Sequence, residues 1–188
     1  MKRLAEGFAN ATAVAFGSVM TAFAVLVACE TVLRKFANLS LQGVDELGGY
    51  VLAVTSSLAF TLALIDRAHI RIDLFHLKLP RAWRAALNWL SAAMTAAFAA
   101  LLAYVGLIVV RETVDFGSTA PTPWATPLIW PQSLWLAALA VFLLFALGAF
   151  ATATRLALAG CVGELDRSFG PKGAEEELEE ELADLERR

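Results

Sequence analysis

Four long apolar stretches, divided by short connections, constrain this chain more than any other feature. They begin at Phe8, Leu47, Ala85 and Leu134 and run over about 8–33, 47–65, 85–110 and 134–158 with few or no charges. An α-helix needs roughly 20 such residues to cross the ~30 Å hydrocarbon core of a bilayer. A helix on the surface of a soluble domain is apolar along one stripe, whereas these segments are apolar all round, so their solvent is lipid. The sequence therefore predicts an all-α membrane protein with four transmembrane helices.

Hydrophobic residues make up 59% of the chain and charged residues 18%, against about 45–50% and 25% in soluble domains. The 188 residues leave room for the spans, brief connections and one tail. Residues 1–163 read as a four-helix membrane domain and 164–188 as an acidic tail. That tail holds ten acids and four bases, so the net charge of −3 divides into −6 for the tail and +3 for the membrane body. Such a body has no reason to bind nucleic acid. Cys29 and Cys161 fall near opposite faces, which excludes a disulfide between them, and their spacing suggests no metal site.

Lysine and arginine set the expected orientation. Lys2 and Arg3 precede span one, Arg67, Arg71, Lys78, Arg81 and Arg84 lie between spans two and three, and Arg155 sits at the end of span four. The other side has only Arg34, Lys35 and Arg111. The positive-inside rule places both termini and the central connection in the cytoplasm. Trp83 and Trp89 then mark the inner boundary, and Trp124, Trp130 and Trp135 the outer one. The start, Lys2-Arg3 and an apolar run to Cys29, also has the look of a lipoprotein signal. The run is too long for a signal core of about 7–15 residues and continues through Leu33, so it reads as a retained first helix.

The connections carry the chemistry. Glu30 and Arg34 are four apart and can pair on one helix face near the outer interface. Asp45 and Glu46 open span two, where carboxylates interact well with unpaired amides and the helix dipole. Capping and solvation account for this pair by themselves; the sharper expectation is that Glu46 faces protein and holds Arg34 or a donor on another subunit. Span two ends in Asp66-Arg67-Ala68-His69-Ile70-Arg71-Ile72-Asp73-Leu74-Phe75-His76. An isolated strand there would leave its edges unpaired, so a short cytoplasmic interfacial helix is expected, with Arg71 and Lys78 reaching membrane lipid headgroups. His69 and His76 share a face, but haem held across a bundle needs histidines on facing helices. The sequence has only these two.

Taken together, Glu30–Arg34–Phe36, Asp45-Glu46-Leu47, a second span rich in small residues and Arg67–His69–Ile70–Arg71–Ile72–Asp73–Leu74 closely resemble the DctQ-type small membrane subunit of tripartite ATP-independent periplasmic (TRAP) transporters. The second half is similar in layout, although Thr119–Pro131 is richer in proline and tryptophan than that family leads one to expect, and the tail from Gly173 lies outside the resemblance. The resemblance implies a small scaffold or accessory permease subunit of a secondary transporter in the bacterial inner membrane. It would work with a large DctM-type permease subunit, which carries the substrate and sodium sites, and with a periplasmic solute-binding protein that delivers an organic acid or related solute. The candidate structural or subunit-interface residues are Glu30, Arg34, Asp45, Glu46, Arg67, His69, Arg71 and Asp73. No catalytic, cofactor-binding or metal-ligating residue is expected, and the chain is not read as an enzyme.

The spans agree with a packing role. A transporter needs ionisable or unwound elements near the midplane, yet spans three and four carry no charge there, and Glu30, Asp66 and Arg155 sit at span ends. Thr55-Ser56-Ser57 and Ser91-Ala92-Ala93 instead offer small residues for close helix contact. The acidic tail reads as a solvated, partly frayed helix. A membrane anchor or assembly subunit of an electron-transfer or regulatory complex, without transport activity, is the alternative.

Overall fold

The computed structural model describes residues 2–65 and 79–169. Its regular structure there is helical: α1 Lys2–Phe36, α2 Val44–Ile65, α3 Arg81–Phe116, α4 Ile129–Leu158 and a short α5, Val162–Phe169. The first four are long and apolar enough to cross a membrane. The interfacial helix expected between spans two and three, and most of the acidic tail, lie outside the described residues.

The helices run past the apolar stretches that announce them. α3 has 36 residues, about 54 Å at 1.5 Å per residue, well beyond the hydrocarbon thickness. Its extended Pro80 cap marks one end, and Gly117 ends it in the left-handed conformation at φ 59°. There the amides of Gly117 and Ser118 turn back to the carbonyls of Val114 and Thr113, satisfying groups that a helix C-terminus leaves open.

The core is the antiparallel seam between α3 and α4. Along α3, Ala92, Ala99, Gly106 and Thr113 are buried at steps of seven; along α4, Leu139, Ala146 and Ala153 do the same. A seven-residue step keeps one stripe facing a neighbour that crosses at a shallow angle. Small side chains let the backbones approach closely. At Gly106 an added Cβ would stand 3.1 Å from Leu139 and 3.2 Å from Leu136. Farther along, Ala96 and Ala99 enclose Phe142 and Ala146. Phe142 also meets Phe60 with ring centroids 5.7 Å apart, bringing α2 onto α4.

α1 packs on α2, through contacts such as Phe23 over Gly48 and Met20 beside Thr55. It stands off α4 along part of its length. The result is an apolar groove of about 680 Å³ between α1, α2 and α4. The bundle thus has a filled side, at the α3–α4 seam, and an open side, at this groove.

The amphipathic α5 folds back under the bundle. Leu165 is almost fully buried against Ala92 and Ala153, with Trp89 and Phe169 around it. Trp89, expected as an interfacial marker, is half-buried; its indole N–H donates to the Thr154 hydroxyl at 3.0 Å and its ring meets Phe150 at 5.8 Å.

Candidate functional site

Polar side chains gather where the α1–α2 turn and the α3–α4 loop meet. α1 ends by sending the amides of Ala37 and Leu39 back to the Leu33 carbonyl, with Asn38 at φ 51°. The reversal needs two more left-handed residues, Gln42 at φ 40° and Gly43 at φ 109°. Such backbone persists where its surroundings over-determine it, and Glu30 supplies that control. Its Oε1 accepts from Arg34 Nη2 and from the Ser40 hydroxyl, each at 2.8 Å, while Oε2 accepts from the Leu41 amide, also at 2.8 Å. The Glu30 side chain is 6% exposed and that of Arg34 62%, so one buried carboxylate holds both the helix end and the turn.

Glu46, in the first turn of α2, has different partners. Tyr50, one turn along, donates its hydroxyl to Oε1 at 2.7 Å. The Thr122 hydroxyl donates to Oε2, and the Thr126 hydroxyl also faces this carboxylate. Arg34 belongs to Glu30, and Glu46 instead fastens the α3–α4 loop onto α2. Asp45 is exposed beside it.

The loop is built to be held there. It forms a small hairpin in which the Ala120 amide donates to the Thr126 carbonyl at 2.9 Å and the Leu128 amide to the Ser118 carbonyl at 3.1 Å. Its tip turns through Ala125, at φ 45°, and presents Trp124 to Gly43. A Cβ on Gly43 would come within 2.7 Å of the indole ring, so glycine is required there for its φ and for this approach.

A second polar cluster lies at the opposite end of α3. Asp166 on α5 accepts from Arg84 Nη2 at 3.0 Å and from Asn88 Nδ2 at 3.2 Å. Neither cluster has the arrangement of a nucleophile and its base. Among the described residues no group of three or more histidine, cysteine or acidic side chains could hold a metal ion, and Cys29 and Cys161 are free and exposed. The arrangement can fix two loops and the short helix α5 in place.

Four of the eight residues singled out from sequence, Glu30, Arg34, Asp45 and Glu46, converge on the loop end of the bundle. Arg67, His69, Arg71 and Asp73 lie outside the described residues. Sequence reasoning missed Gly43, Tyr50 and Thr122 at one end, where it took Trp124 only for an interfacial marker, and Asn88 and Asp166 at the other. Tyr50 could have been found from its four-residue spacing to Glu46; nothing local points to Thr122.

Residues 23–156, well over half the chain, match the family described as tripartite ATP-independent periplasmic transporters, DctQ component. The chain belongs to this family. It is a small permease component of a TRAP transporter, a multi-pass membrane protein. No curated protein and no solved structure matches it. The DctQ match begins inside α1 and ends inside α4. It covers Glu30, Glu46, Tyr50, Thr122 and Trp124, and stops before α5 and Asp166.

Proposed function

We propose that this DctQ component is the static part of a sodium-coupled TRAP system that takes up an organic acid or related solute across the bacterial inner membrane. A large DctM-type permease subunit carries the transport site, and a periplasmic solute-binding protein delivers the solute. The observation that carries the reading is the chemistry of the spans. No charged side chain lies in residues 11–29, 47–65, 85–110 or 129–154, and α2, α3 and α4 cross without an interior break. A transport site needs ionisable groups or unwound backbone at that depth. The open groove between α1, α2 and α4 supports a membrane partner, because an apolar cleft of that size in a bilayer is filled by lipid or by another protein's helices.

The excess of arginine and lysine between spans two and three supports a cytoplasmic location for both termini. The fastened face formed by the α1–α2 turn and the α3–α4 loop is then periplasmic. Three positive-φ non-glycine residues held by Glu30 and Glu46 give it a fixed shape, which suits repeated docking of a soluble binding protein.

Reconstitution in liposomes tests the division of labour. The chain alone moves no solute under a sodium gradient, and uptake appears when the large subunit and binding protein are added; robust uptake by the chain alone defeats the proposal. Glu46→Gln tests the docking face. Losing the charge loosens the loop, so delivery by the binding protein weakens while co-purification with the large subunit survives. Release of the large subunit instead would make Glu46 a subunit contact.

A further inference from the structure

The α1–α2 turn carries a second feature, a pocket beside the end of α1. A pocket of about 310 Å³ opens between the C-terminal part of α1 and the first turn of α2, lined by Val27, Thr31, Arg34, Lys35, Val44 and Asp45; Val44 is buried, and the exposed Arg34, Lys35 and Asp45 form its rim. Glu30 also borders it, but both its oxygens are occupied by Arg34, Ser40 and Leu41. Arg34 gives one Nη2 contact to Glu30. A guanidinium has five N–H donors, and this side chain is 62% exposed. The rim therefore offers cationic donors from Arg34 and Lys35 on the α1 side and the exposed carboxylate of Asp45 on the α2 side.

Depth identifies the ligand class. α2 has 22 residues, about 33 Å of helix, close to the ~30 Å of the hydrocarbon core. Asp45, one residue inside its start, sits at headgroup level, and the pocket places Arg34 and Lys35 level with it. Phe36, Leu39 and Leu41 on the adjoining turn are exposed apolar side chains, as expected of a segment that rests in the headgroup and upper acyl region. We propose that this pocket binds the headgroup of a zwitterionic phospholipid bearing a primary amine, with the phosphate on Arg34 and Lys35 and the ammonium on Asp45. The separation of charge across the rim favours a zwitterion over an anionic lipid, whose phosphate the same cations would hold but whose headgroup brings nothing to Asp45. An ammonium N–H donates to the Asp45 carboxylate; a quaternary choline cannot.

The test is lipid retention by the full chain in nanodiscs of equal phosphatidylethanolamine, phosphatidylcholine and phosphatidylglycerol, read by native mass spectrometry after release. The wild type keeps phosphatidylethanolamine preferentially. Lys35→Gln lowers retention of phosphatidylethanolamine and phosphatidylglycerol alike by about two- to fivefold, the range of an exposed ion pair. Asp45→Asn removes the preference for phosphatidylethanolamine over phosphatidylglycerol without lowering phosphatidylglycerol retention. Both positions are exposed, and a monodisperse, protease-resistant product establishes that each variant folds. Wild-type retention of phosphatidylglycerol equal to or above that of phosphatidylethanolamine reduces the site to a cationic patch and overturns the proposal. Retention unchanged in both variants overturns it too, since the lipid is then held elsewhere, for instance in the apolar groove. Loss of the lipid when the large subunit is bound would make the pocket a protein contact, and equally rejects it.

Discussion

Asp166 of α5 and Arg84 of α3 meet at 3.0 Å, with side chains 23% and 21% exposed, and Asn88 completes the contact from one turn along α3. This joins a helix outside the DctQ match to one within it. The pair is shielded enough to matter and wet enough to avoid the full cost of burying two charges. A double-mutant cycle with Arg84→Gln and Asp166→Asn, read by chemical unfolding in detergent, should give a coupling energy in the lower part of about 0.5–3 kcal/mol. A coupling of zero would leave α5 held by its apolar face alone.

That apolar face centres on Leu165, 1% exposed between Ala92 and Ala153. Leu165→Ala removes most of a buried side chain and leaves a cavity that rigid helices cannot close, at a cost of about 2–5 kcal/mol if α5 unfolds with the bundle. Limited proteolysis gives a second readout. Cleavage after α5 detaches should appear in Leu165→Ala before any cut within α3 or α4, and simultaneous loss of all protection would show that α5 is not a separable element.

Gly43 and Trp124 form the corresponding joint at the loop end. Gly43→Ala meets two penalties at once, a φ of 109° and an indole ring 2.7 Å from the new methyl group. The left-handed strain contributes about 1–3 kcal/mol, and the ring must move away. Trp124 fluorescence should shift toward the spectrum of a solvent- or lipid-exposed indole, while the α3–α4 seam, remote from the change, keeps its protection. An unchanged spectrum from a protein whose only remaining indole is Trp124 would count against the contact.

These contacts divide by how far apart in sequence their partners lie. The four spans were legible because a bilayer demands long apolar runs, and that demand is written into consecutive residues. The pairing of Glu30 with Arg34 was legible as a possibility because helix geometry brings i and i+4 together. Glu46 announced itself by position, but its partner did not. Thr122 sits in a loop whose fold depends on the hairpin bonds of Ala120 and Leu128 and on Gly43 being free of a side chain. Three such conditions cannot be read from neighbouring residues. α5 escaped notice for a related reason. Its acids and Arg167 merge into the charged composition of the tail, and only the approach of Ala92 and Ala153 gives Leu165 somewhere to go.

The seven-residue stripe of α3 makes its own prediction. Ala99 is fully buried against Phe142 and Ala146, so Ala99→Leu has no space for its added atoms. Overpacking of this kind costs about 1–3 kcal/mol, and here it should also push α4 away and disturb the Phe60–Phe142 contact that brings α2 in. Ala97→Leu, at an exposed position of the same helix, is the matched control and should unfold at nearly the wild-type midpoint. Equal loss in both variants would mean that the α3–α4 seam is not the feature limiting stability.

Glu30 offers the sharpest test of the fastened turn, because its three bonds can be removed in steps. Arg34→Gln takes away the ion pair and leaves the Ser40 hydroxyl and the Leu41 amide on the carboxylate. Glu30→Gln keeps a carbonyl acceptor for one of them but replaces the other oxygen with a donor, which cannot accept an N–H. Glu30→Ala removes all three and leaves Asn38, Gln42 and Gly43 holding left-handed backbone without the buried carboxylate. Hydrogen exchange at the amides of residues 37–43 should therefore accelerate in the order Arg34→Gln, Glu30→Gln, Glu30→Ala, several-fold at the last step, while amides in the middle of α3 stay unchanged. The Leu41 amide is the decisive probe, since it donates directly to Glu30 Oε2. Wild-type exchange at Leu41 in Glu30→Ala would show that the turn holds its shape without the buried carboxylate, and would return Glu30 to the role of a simple partner for Arg34.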